Sequence, residues 1–126
     1  MNNSEIYNEK DDGDFDITDL PIFAPFNLRG VIEFRVQLRI KQDIILEGGI
    51  ERVLPTYCSI SVQPSYLTMH LKRAENVPIL FDSEGVINQN FRGRINVKIV
   101  NYNLFSLKLN VNTIVGYLII QPNIMF

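Results

Sequence analysis

Residues 30–40 read GVIEFRVQLRI, and the stretch alternates. Gly30, Ile32, Phe34, Val36, Leu38 and Ile40 are apolar or small, while the intervening Val31, Glu33, Arg35, Gln37 and Arg39 are mostly polar. A two-residue period places successive side chains on opposite faces of an extended chain, so the stretch predicts a strand with one face in a core. Further extended runs follow at about 43–47, 50–54, 57–63, 66–72, 77–81, 94–101, 104–110 and 113–121, and no stretch sustains a helical period. Turn chemistry separates them at Gly48-Gly49, Pro55, Gln63-Pro64-Ser65, Asn76 to Pro78, Asp82 to Gly85 and Asn101-Tyr102-Asn103. Because Asn tolerates the left-handed backbone of tight turns, the last of these predicts a hairpin joining two antiparallel strands. About eight to ten short strands at near-regular spacing imply an all-β fold, a sandwich or a barrel of the jelly-roll kind.

The chain has 126 residues, of which 46% are apolar, enough for one domain with a core that needs no disulfide. Its single cysteine, Cys58, excludes an internal disulfide, and with one histidine, His70, it leaves too few ligands for a structural zinc site. Both read as packing or surface residues, and no cofactor is implied. No apolar run approaches the ~20 residues that span a bilayer, and the N-terminus lacks the basic and apolar regions of a secretory signal. The expectation is an intracellular protein with no membrane contact.

The net charge of −2 is unevenly distributed. Residues 1–20 carry seven acids against Lys10, a net of −6, which leaves the remaining chain at +4. Such a self-repelling segment predicts a flexible acidic tail over residues 1–20 ahead of a barrel domain over 21–126. The other reading docks the tail on a basic face of its own or a neighbouring subunit.

Glu84 to Asn103, EGVINQNFRGRINVKIVNYN, followed by SLKLNVNTIVGYLIIQP from Ser106 to Pro122, resembles the third and fourth sequence motifs of the dUTPase family. In that family the third motif is G-V-I-D-x-x-Y-R-G, and the fourth is G-D-R-I-A-Q-L. Upstream, LRIKQDIIL is similar to the strand after the first motif, LPTYCSISV to the strand before the substrate-facing hairpin, and KRAEN to the P-R-S-G second motif. The resemblance covers roughly residues 33–121, and the order and spacing of the motifs carry it more than any one match. It implies a dUTPase-like distorted barrel, commonly a homotrimer with sites between subunits.

A dUTPase activates a water with a carboxylate while a divalent metal and basic groups neutralise the triphosphate. Carried over residue by residue, that machinery is degraded. The water-activating aspartate falls on Asn88, whose amide cannot accept the proton. The tyrosine beneath the deoxyribose falls on Phe91, which keeps the aromatic face without the hydroxyl. The metal-holding aspartate falls on Gln37, a poor magnesium ligand beside a carboxylate. In the second motif Arg73 survives, but Ser and Gly become Ala74 and Glu75, removing a phosphate donor and adding a charge that repels one. The fourth-motif Arg and Gln fall near Ile114 and Tyr117, and the glycine-rich fifth motif expected after the last strand is not seen in QPNIMF.

The resemblance therefore implies a divergent, viral pseudoenzyme that acts through protein partners in the host cytoplasm or nucleus. Viral dUTPase-like proteins of this kind include an adaptor that binds PDZ-domain scaffolds through its C-terminus. Here Ile124 and Phe126 supply the apolar, any, apolar ending that can add as a strand to such a groove. The alternatives are a structural or assembly protein that oligomerises through the barrel and, less favoured, an active dUTP pyrophosphatase. Arg92, Arg94 and Lys98 alternate along one strand, short of the basic stripe that nucleic acid requires.

Overall fold

The computed structural model describes residues 4–7, 13–20, 33–81 and 84–122. Among these described residues eleven strands follow in chain order: β1 (Ser4–Tyr7), β2 (Phe15–Asp16), β3 (Glu33–Arg39), β4 (Ile44–Leu46), β5 (Glu51–Ile60), β6 (Leu67–Arg73), β7 (Ile79–Phe81), β8 (Gly85–Val86), β9 (Gly93–Asn101), β10 (Leu107–Leu109) and β11 (Ile114–Pro122). They form a five-stranded sheet in the order β1-β3-β11-β6-β8, a four-stranded sheet β2-β5-β9-β7, and the pair β10-β4. The all-β expectation is met. Among the described residues no helix is long and apolar enough to cross a membrane.

The alternation in β3 does what its period requires. Phe34, Val36, Leu38 and Ile40 are buried, while Glu33, Arg35, Gln37 and Arg39 point to the other face. Antiparallel register carries the inner face across the sheet, setting Leu118 of β11 between Val36 and Leu71, and Ile120 between Phe34 and Met69. The four-stranded sheet answers with Leu54 opposite Val97 and Ile99 opposite Phe81. Each such side chain contributes about 1.5–3 kcal/mol on burial, and together they form one core.

Two turn expectations are corrected. Pro55 does not separate strands but lies inside β5, at a register shift between Pro55 and Ser59. A proline cannot donate to the ladder, so it is accommodated where pairing is interrupted. Thr56, fully buried, satisfies the irregularity by donating to Ile95 O at 2.9 Å and accepting from Cys58 N at 3.3 Å. Nor does Asn101-Tyr102-Asn103 close a hairpin, since β9 pairs with β5 and β7 whereas β10 pairs with β4. The buried Asn101 redirects the chain: its Nδ2 donates to Leu46 O (2.9 Å) and Phe105 O (2.7 Å), and its Oδ1 accepts from Asn103 N (2.9 Å). The left-handed backbone expected of Asn occurs at Asn112 instead, with φ 71°.

The acidic segment also differs from a free tail. Ser4–Tyr7 runs parallel to β3 at the edge of one sheet, and Phe15–Asp16 runs parallel to β5 at the edge of the other. Ile17 and Leu20 are buried in the common core, so a domain boundary at residue 20 cuts through the packed unit. Asp16 caps the 3₁₀ turn Ile17–Asp19 through Thr18 N, with Asp19 reaching back to Asp16 N. Of the two readings of this segment, docking describes residues 13–20. Apolar burial at Ile17 and Leu20, together with ion pairs from Asp14, offsets the ordering entropy that the acidic composition alone cannot.

Candidate functional site

The turn between β8 and β9 is built by its glycines and held by side-chain amides. Gly85 and Gly93 have φ of 136° and 114°, backbone that L side chains rarely adopt. Between them Phe91 N donates to Asn88 O at 2.9 Å, and Asn88 Oδ1 accepts from Asn90 N at 2.8 Å. The Asn88 side chain thus caps its own turn. From outside the turn, Gln63 Nε2 donates to Asn88 O (2.8 Å) and Phe91 O (2.9 Å), while Gln89 Nε2 donates to Gln63 O (2.7 Å). Gln63 is buried, and its position before Pro64 marked only a turn. Nothing in sequence spacing distinguished it as the residue that clamps the loop.

This turn walls an open cavity of about 230 Å³. Leu71, Val86, Ile87, Phe91 and Ile95 supply its apolar surface, and Asn88, Asn96 and Arg94 its polar rim. Phe91 is 36% exposed, so its ring is available to the cavity rather than sunk in the core. Arg94 is already engaged, with Nη1 2.7 Å from Asp14 Oδ1, Nη2 3.2 Å from Asp14 Oδ2, and Nη1 2.8 Å from Thr56 O. Lys41 also meets Asp14 Oδ1 at 2.7 Å. The Arg94 hydrogen bond, followed by that of Lys41, holds the Asp14 carboxyl down to about 2. The same bond raises the Arg94 guanidinium further above its ordinary value.

The remaining sequence-derived positions gather elsewhere, on the outer face of the five-stranded sheet. Gln37, Tyr117 and Lys72 are cross-strand neighbours, and Arg73 lies opposite Gly116. A polar cavity of about 300 Å³ there is lined by Arg35, Lys72, Arg73, Glu75, Asn76 and Tyr117. Gln37 Oε1 accepts from Arg39 Nη2 at 2.6 Å, and Arg35 is paired with Glu33 at 2.6 Å. Ala74 is buried with its N–H donated to Val115 O at 3.0 Å, so it has no group to offer a ligand. Arg73 Nε stands 3.9 Å from Glu84. Within one copy, then, Arg73 lines the polar cavity together with Tyr117, the cross-strand neighbour of Gln37, Ala74 is buried in the core, and Asn88 and Phe91 line the other cavity. Ile114 falls at the irregular start of β11, where pairing shifts between Ile114 and Gly116.

The expected row of basic residues, Arg94 and Lys98 on β9 and Arg92 just ahead of it, is internally engaged. Arg92 donates to Gln89 O and Phe91 O, Arg94 binds Asp14, and Lys98 lies 3.5 Å from Glu51. Burial pushes the Cys58 thiol up, so it is a packing residue. His70 is half-buried between Ile119 and Val86. Ile124 and Phe126, the C-terminal partner-binding candidates, lie outside the described residues.

Two facing sheets with a glycine-flanked Gly-Val-Ile turn beside an apolar cavity define a dUTPase-like fold. Known structures bear this out. The dUTPase of Staphylococcus bacteriophage 80alpha superposes with a TM-score of 0.59 at 14% identity, over 71% of this chain and 70% of that one. The dUTPase of S. aureus phage phi11 gives 0.60 at 13%, over 71% and 77%. The EIAV dUTPase gives 0.59 at 22%, over 69% and 73%. No protein-family model and no curated protein matches the sequence. At these identities the likeness is one of fold, and the chain is a divergent form of it.

Proposed function

We propose that this is a non-catalytic dUTPase-like protein that works through protein contacts, with viral proteins as its relatives. The observation that carries the reading is at Asn88. In the resemblance to the third motif, this position holds the carboxylate that activates water. Here it is an amide whose oxygen accepts the Asn90 N–H at 2.8 Å. An amide does not take up a proton near neutral pH, and one lone pair of this oxygen is already committed to the turn. On the other cavity, Glu75 stands among the cations that a triphosphate would need. A coupled constellation that loses its base, a carboxylate metal ligand at Gln37 and a phosphate donor at Ala74 loses function as a unit.

Activity apart from hydrolysis has precedent in the fold. The phage 80alpha dUTPase is described as controlling transfer of virulence genes by a proto-oncogenic G protein-like mechanism. The phage 80 dUTPase is described as having a SaPI-inducing capacity linked to its enzymatic activity. A regulatory role for the present chain in a host cell is in line with the first of those descriptions, and a homotrimer is the assembled form that the resemblance implies. The experiment is incubation of the purified chain with dUTP and magnesium. No pyrophosphate above the uncatalysed background is expected, and enzyme-proportional release would overturn the reading. An assembly role is the second reading, favoured by the exposure of Leu104 and Phe105, at 97% and 80%.

A further inference from the structure

Leu104 and Phe105 form the tip of the loop between β9 and β10, and the backbone beneath them is locked. Asn101, fully buried, makes three hydrogen bonds into this loop and to Leu46. Gly48 packs so closely under the loop that a Cβ there would stand 2.5 Å from Asn103 O and 3.0 Å from Leu104 O. Single exposed apolar residues are ordinary, but two large neighbours projected outward on a fixed backbone are the form of an interface anchor. The tip, Tyr102 to Ser106, carries no charge.

A receptor of matching chemistry lies on the same chain. The cavity beside Phe91 is apolar on its walls, open, and about 230 Å³. That is below the roughly 300–1,000 Å³ of a small-molecule site, and it suits inserted side chains better than a nucleotide. Its rim cation, Arg94, is neutralised by Asp14, whose carboxylate accepts two hydrogen bonds from the guanidinium. An anionic ligand therefore gains little there, and an uncharged apolar tip is not penalised by facing an unpaired charge.

We infer that the Leu104–Phe105 tip of one copy seats in the Phe91 cavity of a second copy, making a head-to-tail contact between different surfaces. This deepens the assembly reading and rests on it. A contact of this kind is heterologous: each subunit gives a tip to one neighbour and a cavity to another, so it closes as a ring or extends.

Sedimentation velocity on the full chain over a range of concentrations tests it, using a tip variant, Leu104→Asp with Phe105→Asp, and a cavity variant, Val86→Arg. Val86 is 74% exposed, so all three substitutions are at surface positions. The unaltered chain is expected to associate, and each variant alone to lose association by roughly 30-fold or more, as for interface anchors. Mixing the two variants should restore a one-to-one complex, because one intact tip and one intact cavity remain. A monomeric unaltered chain, a tip variant that assembles normally, or a mixture that stays monomeric would each overturn the inference. Assembly is read independently of pyrophosphate release. Turnover in a chain that still passes the mixing test would sink the non-catalytic reading alone.

Discussion

The side-chain nitrogen of Gln63 lies 2.9 Å from the carbonyl oxygen of Phe91 and 2.8 Å from that of Asn88, so one buried amide holds both ends of the turn that shapes the cavity. Sequence neighbours contribute the turn's shape through Gly85 and Gly93, but its position relative to the core depends on this contact from β5's exit.

Gln63→Ala removes a donor shared by two carbonyls and is expected to cost about 1–3 kcal/mol. Denaturant unfolding should show a lower midpoint with an unchanged slope. NMR shifts for residues 88–92 should move more than those of β3 or β11. Wild-type stability in the variant would show the clamp to be dispensable.

Asp14 gives the chain an acid-sensitive contact. Its carboxyl titrates at about 2, below the ordinary 3.8, chiefly because of Arg94 and then Lys41. Since the folded-state value is depressed, its stabilising contribution is present above about 3.8 and is lost as pH falls toward 2. Between those limits the backbone resonances of residues 14–17 should shift toward those of Asp14→Asn at neutral pH. The variant itself should lack the Asp14-dependent part of this response. An equal response in both proteins would refute the assignment.

Ile17→Ala separates a docked segment from a tail. Ile17 is fully buried in the common core, and truncating such a residue typically costs 2–5 kcal/mol, about 2 at the least. A loss within about 0.5 kcal/mol, the range of an exposed surface site, would return residues 13–20 to the status of a tail.

Asn88→Asp places a carboxylate where the resemblance puts the water-activating aspartate and leaves the other positions as they are. With Gln37, Ala74 and Glu75 unchanged, no dUTP turnover above background is expected in a pyrophosphate-release assay. Rescue by this single substitution would mean that the remaining residues suffice for metal and phosphate binding.

Much of the fold was legible in local pattern. Phe34, Val36, Leu38 and Ile40 are buried because a two-residue period can face one core only in an extended chain, and that regularity is written in consecutive residues. The order of the motifs likewise indicated a dUTPase-like barrel, and Asn88 and Phe91 were placed in the turn that lines the cavity. Pairing across the chain was not legible. Asn101 has the composition of a hairpin turn, yet its buried amide finds Leu46 and Phe105, and the chain passes into β10, which pairs with β4. The acidic segment has the composition of a free tail, yet Asp14 meets Arg94 eighty residues away, and Ile17 finds space in the core. Composition and period determine which face of a strand is apolar because they act between adjacent residues. Partners for buried amides and carboxylates are decided by tertiary packing, because the free energy of a polar contact depends on what else is excluded from water around it.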